Sequence, residues 1–115
     1  MRRAWLTLAA LGGLFCVAMG AFAAHGITDP RAQDLLRTGA LYGFVHLLAI
    51  FAATPHSRLA PPLFLAGAAI FSGTLFAMAL GAPRWLGAVT PLGGLSFMAG
   101  WAALAWSAAR IRPQA

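Results

Sequence analysis

At 115 residues the chain allows one domain, and 61% of it is hydrophobic against 9% charged, far below the roughly 25% charged residues of soluble domains. So small a body cannot hide that much apolar surface from water, which excludes an ordinary soluble domain and makes lipid the solvent. The net charge of +6 comes from eight arginines against two aspartates. The arginines stand singly or in pairs between apolar runs rather than on one face, which excludes a nucleic-acid interface and reads as topology-setting charge at membrane boundaries.

The expected class is all-α: one integral membrane four-helix bundle over residues 1–115, with spans near 4–24, 35–54, 61–81 and 88–109. Each run is about 20 residues, enough at ~1.5 Å per residue to cross a ~30 Å hydrocarbon core. Backbone in hydrocarbon must satisfy its own hydrogen bonds, so the runs are helices.

The first run, Ala4 to Ala24, closes in "GAFAAHG", residues 20–26. A basic start, an apolar run and Ala21-Phe22-Ala23 together have the form of a cleavable signal peptide. Retention is the expectation for three reasons. The run is longer than the ~7–15 residues of a signal core. Cleavage would put the two ends on opposite sides and spoil the arginine tally. Gly12, Cys16, Gly20 and Ala24 also recur every four residues, a small-residue edge of the kind that lets helices approach in lipid. Cys16 is the single cysteine and reads as a small packing residue; "GLFC" lacks the order of a lipoprotein box.

The connection "HGITDPRAQD" (25–34) holds both acidic residues, Asp29 and Asp34, with Pro30 suited to the first position of a helix after Asp29. Residues 31–38 would form an interfacial helical turn leading into the second run, which carries Gly39 and Gly43. "PHSRLAPP" (55–62) is a tight reversal. The third run repeats the small-residue device at Ala69, Gly73, Ala77 and Gly81. After "APRW" (82–85), Thr90-Pro91 reads as a cap followed by proline, so an irregular lead-in is expected before Pro91. The fourth run offers Ala99, Ala103 and Ser107. With several such edges, a stripe is left over for a homo-oligomer or a larger membrane complex.

Arg2, Arg3, Arg58, Arg110 and Arg112 share one side; Arg31, Arg37 and Arg84 take the other, the first two offset by Asp29 and Asp34. The excess predicts both termini in the cytoplasm. Trp5 and Trp106 then sit at the inner interface and Trp85 at the outer one.

Polar residues inside the spans carry the remaining information. Thr38, Tyr42 and His46 fall at four-residue spacing on one face of the second helix. His46 lies ~12 Å from the inner end, and Ser72 and Cys16 at ~16–18 Å stand near its level. Neutral His46 either hydrogen-bonds a hydroxyl or carbonyl of a neighbouring helix and specifies packing, which is the expectation, or serves as a proton relay or ligand contact. The expected partner is Ser72 or the Cys16 region. His25, ~15 Å from that level, belongs to the outer interface, capping its helix or pairing with Asp29 or Asp34. That separation, and the lack of a cysteine or carboxylate at ligand spacing, argue against a metal or haem site. No nucleophile–base–acid set, phosphate loop or carboxylate pair is present, so neither enzyme activity nor a cofactor is expected.

Four stretches in this order, "GAFAAHG", "TGALYGFVHLLAI", "FSGTLFAMAL" and "LGAVTPLGGLSFMAGW", resemble the blocks of the transmembrane protein 256 family, or domain of unknown function 423. The matching positions are His25 and Gly26, Tyr42 and His46, Ser72 and Gly73, and Thr90, Pro91, Gly93 and Gly94, over roughly residues 10–101. The resemblance implies a small four-span membrane protein, in bacteria of the cytoplasmic membrane, and brings no catalytic role. The function expected is that of an accessory or structural subunit of a membrane assembly. The alternative is a small oligomeric transporter or channel using His46; a lipid or quinone binder ranks third.

Overall fold

The computed structural model describes residues 2–111, and Arg112 of the orientation tally lies outside them. Four helices follow one another: α1 (Arg2–His25), α2 (Pro30–Ala53), α3 (Ala60–Ala79) and α4 (Thr90–Ala109). A short 3-10 helix, Arg84–Ala88, precedes α4. No strand occurs among the described residues. All four helices are long and apolar enough to cross a membrane.

Local chemistry sets the helix ends. Asp29 adopts an extended backbone and its Oδ2 accepts the Ala32 N–H at 3.0 Å, with Pro30 in the first turn. This is an N-cap in which the missing proline N–H costs nothing. Residues 31–38 are helical and continuous with the rest of α2. α3 stops two residues before the expected Gly81. There Gly81 has φ +108°, while Gly81 N–H donates to Met78 O at 3.2 Å and Ala82 N–H to Ala77 O at 2.9 Å. Those paired bonds satisfy the last carbonyls and require a residue without a Cβ. Gly81 is a helix stop, not a packing position.

Ahead of Pro91 the backbone leaves α-helix, as expected. The lead-in is a tightened turn, and α4 begins at Thr90, not at Pro91. The Thr90 hydroxyl caps nothing: it lies 2.6 Å from Thr74 Oγ1 and donates to Leu86 O at 3.2 Å. A hydroxyl facing a neighbouring hydroxyl in an apolar interior takes that partner in preference to its own helix end.

Each helix packs antiparallel on the next, and α1 and α4 lie on opposite sides of the central α2/α3 pair. The central seam is the closest. A Cβ built on Gly39 would come within 2.7 Å of the Phe76 ring, and one on Gly43 within 2.5 Å of Ser72 Oγ and 2.9 Å of Cys16 Sγ. Ser72 Oγ donates to Gly39 O at 2.7 Å, tying the two backbones. Lipid supplies no hydrophobic drive between helices, so such close van der Waals fit and interhelical hydrogen bonds hold the pair.

Only part of the expected small-residue set is used. Gly39, Gly43 and Cys16 are buried, Gly12 packs under Leu47, and Gly20 lies against Ala40. Ala24 is exposed and the neighbouring Ala23 takes its place. In α3, Ala69 and Gly73 are exposed, nothing lies within 4 Å of a Cβ at Gly73, and Ala77 is half-buried. The contact with α4 is made by Gly67 instead, beneath the Phe97 ring, with Gly93 under the Phe71 backbone and Gly100 under Phe64. Ser96 Oγ donates to Leu63 O at 2.7 Å across the same seam. Ala99 is exposed, and Ala103 and Ser107 are half-buried.

Candidate functional site

The most polar point deep in the membrane is His46, which is 7% exposed. α2 carries it on the edge of its buried face, next to Leu47 and between Gly43 and Ile50. Its ring stacks on Phe97 of α4 with centroids 3.6 Å apart and planes 8° from parallel. Phe64 and Trp101 meet it edge-on, at 5.6 Å and 5.8 Å. The imidazole is thus enclosed by aromatic rings from α3 and α4.

Both ring nitrogens have partners. Nδ1 stands 2.6 Å from Tyr42 O, and a carbonyl can only accept, so Nδ1 carries the proton. Trp101 Nε1–H, a group that can only donate, reaches Nε2 at 2.9 Å. Nε2 is therefore the acceptor, and the ring is the neutral Nδ1–H tautomer. A proton added at Nε2 would confront the indole N–H with another donor and bury a charge among phenyl rings. The arrangement holds a neutral imidazole in one orientation and leaves neither nitrogen open to a ligand.

The expected neighbours of His46 are elsewhere. Ser72 and Cys16 meet at Gly43, on the side of α2 that faces α1 and α3. Gly43 and His46 are three positions apart on α2, ~4.5 Å in depth, and helix azimuth turns them toward different helices. Thr38 and Tyr42 also do not share an inward face with His46. Both are exposed, Tyr42 by 48%. The Tyr42 ring packs 5.4 Å from Phe71, yet its hydroxyl has no hydrogen-bond partner among the described residues. Tyr42 lies ~17 Å from either end of α2, too deep for its hydroxyl to reach headgroups or water. Beside it runs a groove of about 440 Å³ between α2 and α4, lined by Tyr42, His46, Pro91, Gly94, Met98 and Trp101, among others.

His25 ends α1, exposed, and neither caps the helix by its side chain nor pairs with Asp29 or Asp34 among the described residues. The helix end is closed by backbone instead, Gly26 N–H to Phe22 O at 2.7 Å, with the Phe22 ring packed where a Cβ on Gly26 would be. The adjoining loop is tied by Gln33 Nε2, which donates to Ile27 O at 2.7 Å. Among the described residues no three His, Cys, Asp or Glu side chains gather as metal ligands would.

Sequence reasoning missed Trp101. A signal was there. Of four tryptophans, Trp5, Trp85 and Trp106 fall near span ends, whereas Trp101 falls inside one. An indole N–H at that depth needs an acceptor, and buried tryptophans usually find one. Trp101 stands eight residues from the end of α4, and His46 about as far from the matching end of α2, so a depth count would have paired them.

Comparison with known proteins agrees with this architecture. Residues 19–94 match the model of the family described as "Protein of unknown function (DUF423)". A UPF0382 membrane protein of Haemophilus influenzae is 39% identical, covering 92% of this chain and 94% of the relative. The UPF0382 inner membrane protein YgdD of Escherichia coli is 37% identical over 96% of this chain and 92% of its own. A UPF0382 membrane protein of Schizosaccharomyces pombe is 36% identical over 84% and 94%. No solved structure matches. The chain belongs to the DUF423 family of small membrane proteins.

Proposed function

We propose that this DUF423-family protein is a non-enzymatic packing subunit of a larger membrane assembly, in the inner membrane, with both termini in the cytoplasm. The observation that carries the reading is Tyr42. Tyr42 is exposed near mid-membrane, and its hydroxyl has no partner among the described residues, at a depth where lipid offers neither donor nor acceptor. Leaving such a group unpaired in hydrocarbon costs roughly several kcal/mol, so a second protein helix lying along the α2/α4 groove, offering a carbonyl or a hydroxyl, removes that cost. The exposed Ala69 and Gly73 give another close-contact edge on the far side of α3. Orientation rests on the arginine excess at the end that carries both termini.

Transport through His46 has less support, because both ring nitrogens are already engaged within the bundle. A proton relay would have to break the Trp101 bond on every passage.

The deciding experiment is affinity purification in mild detergent, comparing the wild-type chain with Tyr42→Phe. A stoichiometric protein that co-elutes with the wild type and is weakened by Tyr42→Phe, with the helical fold intact, supports the reading. A chain that elutes alone and conducts protons or a solute in liposomes refutes it.

A further inference from the structure

A second polar cavity lies at the end of the bundle where α1 begins and α2 turns into α3. It measures about 470 Å³ and is lined by Arg2, Trp5, Thr54, Ser57, Arg58 and Pro61. Two arginines therefore border one space. The only Asp and Glu side chains of the chain are Asp29 and Asp34, and both sit near the start of α2, ~30 Å or more from its other end. No Asp or Glu of this protein can neutralise the pair.

The remaining lining fits an anion. Ser57 Oγ accepts the Ala60 N–H at 3.1 Å, which leaves its own proton free to donate into the cavity. Thr54 Oγ1 gives its proton to Ile50 O at 2.6 Å and offers the cavity little. Trp5 is half-buried against the core, and with Pro61 it makes an apolar wall beside the charges. Indole rings prefer the headgroup level of a bilayer, where this end of the spans must lie.

We propose that this cavity binds the phosphodiester headgroup of an anionic phospholipid. Arg2 and Arg58 hold the phosphate oxygens, for which the planar guanidinium fork is suited. Ser57 adds a hydroxyl donor, and the Trp5 and Pro61 wall receives the glycerol and first methylenes. A free phosphate would use the charges but not the wall, which is why a lipid is the occupant. Basic pockets between spans at the membrane surface are general sites for such headgroups.

The test is native mass spectrometry of the full-length chain in detergent, titrated with phosphatidylglycerol or phosphatidylcholine. The wild type is expected to retain phosphatidylglycerol in preference. Arg2→Gln/Arg58→Gln should weaken that retention ~30-fold, from the surface attraction of two arginines, and leave phosphatidylcholine unchanged. Arg84→Gln, at the opposite end, should change nothing. Arg58→Lys keeps the charge, loses the fork, and should fall between the wild type and the double variant, which guards against misfolding of the latter. Equal retention of the two lipids by the wild type, an undiminished double variant, or an equal loss in Arg84→Gln would overturn the proposal. Displacement of phosphatidylglycerol by millimolar inorganic phosphate would make the site one for the free anion and refute the lipid assignment.

Discussion

Trp101→Phe isolates a single interaction. The Trp101 Nε1 to His46 Nε2 distance of 2.9 Å is that of a well-formed hydrogen bond. Phenylalanine removes the N–H and keeps a ring against Phe64, whose centroid lies 4.9 Å from that of Trp101. His46 Nε2 would then face apolar groups with no water to replace the donor. Interhelical hydrogen bonds in membrane proteins average ~0.6 kcal/mol and reach ~1.7; a well-formed bond to a buried ring, without competing solvent, belongs in the upper half of that range. A coupling of about 1 kcal/mol is therefore expected in a double-mutant cycle of Trp101→Phe and His46→Leu, read from reversible unfolding in mixed micelles. The same bond dictates a spectroscopic signature. In histidine-labelled protein, nitrogen NMR should show His46 protonated at Nδ1 and bare at Nε2, and Trp101→Phe should shift Nε2 most. A coupling near zero, or an Nε2-protonated ring in the wild type, would refute the reasoning.

Gly43→Ala should destabilise the bundle by ~1–3 kcal/mol through overpacking, since the added methyl meets Ser72 and Cys16; Gly73→Ala, in open space, should stay within ~0.5 kcal/mol by the same unfolding assay. Gly81→Ala should cost ~1–2 kcal/mol, because φ +108° disfavours any side chain, and a thermal-denaturation comparison with Gly73→Ala would detect it. Reporter fusions at residue 28 and at the C-terminus should fall on opposite sides of the membrane. Both reporters on one side, or a mature chain beginning at Ala24, would defeat the four-span topology.

Run length and the rule that hydrocarbon-embedded backbone must bond to itself determined four helices from the sequence alone, and their short connections determined the antiparallel order. Asp29-Pro30 announced its own cap, because the chemistry that starts a helix there is local. Gly39 and Gly43 were legible as a close-contact face, as were Gly12 and Cys16. What the sequence did not determine is azimuth. In a soluble helix, polar residues mark the outer face. Here the outer face meets lipid and is as apolar as the inner one, so Ala69 and Gly73 looked equivalent to the Gly67 and Ser72 positions that pack. The depth count put Ser72 and Cys16 near His46, whereas they meet Gly43, about one turn of α2 away, and it could not say that α2 turns His46 toward α4 and Gly43 toward α1 and α3. Tertiary structure alone decided that. A hydrogen bond between residues 46 and 101 requires α2 and α4 to flank α3 with those faces opposed, and the fit of Gly67, Gly93 and Gly100 beneath Phe97, the Phe71 backbone and Phe64 fixes that rotation.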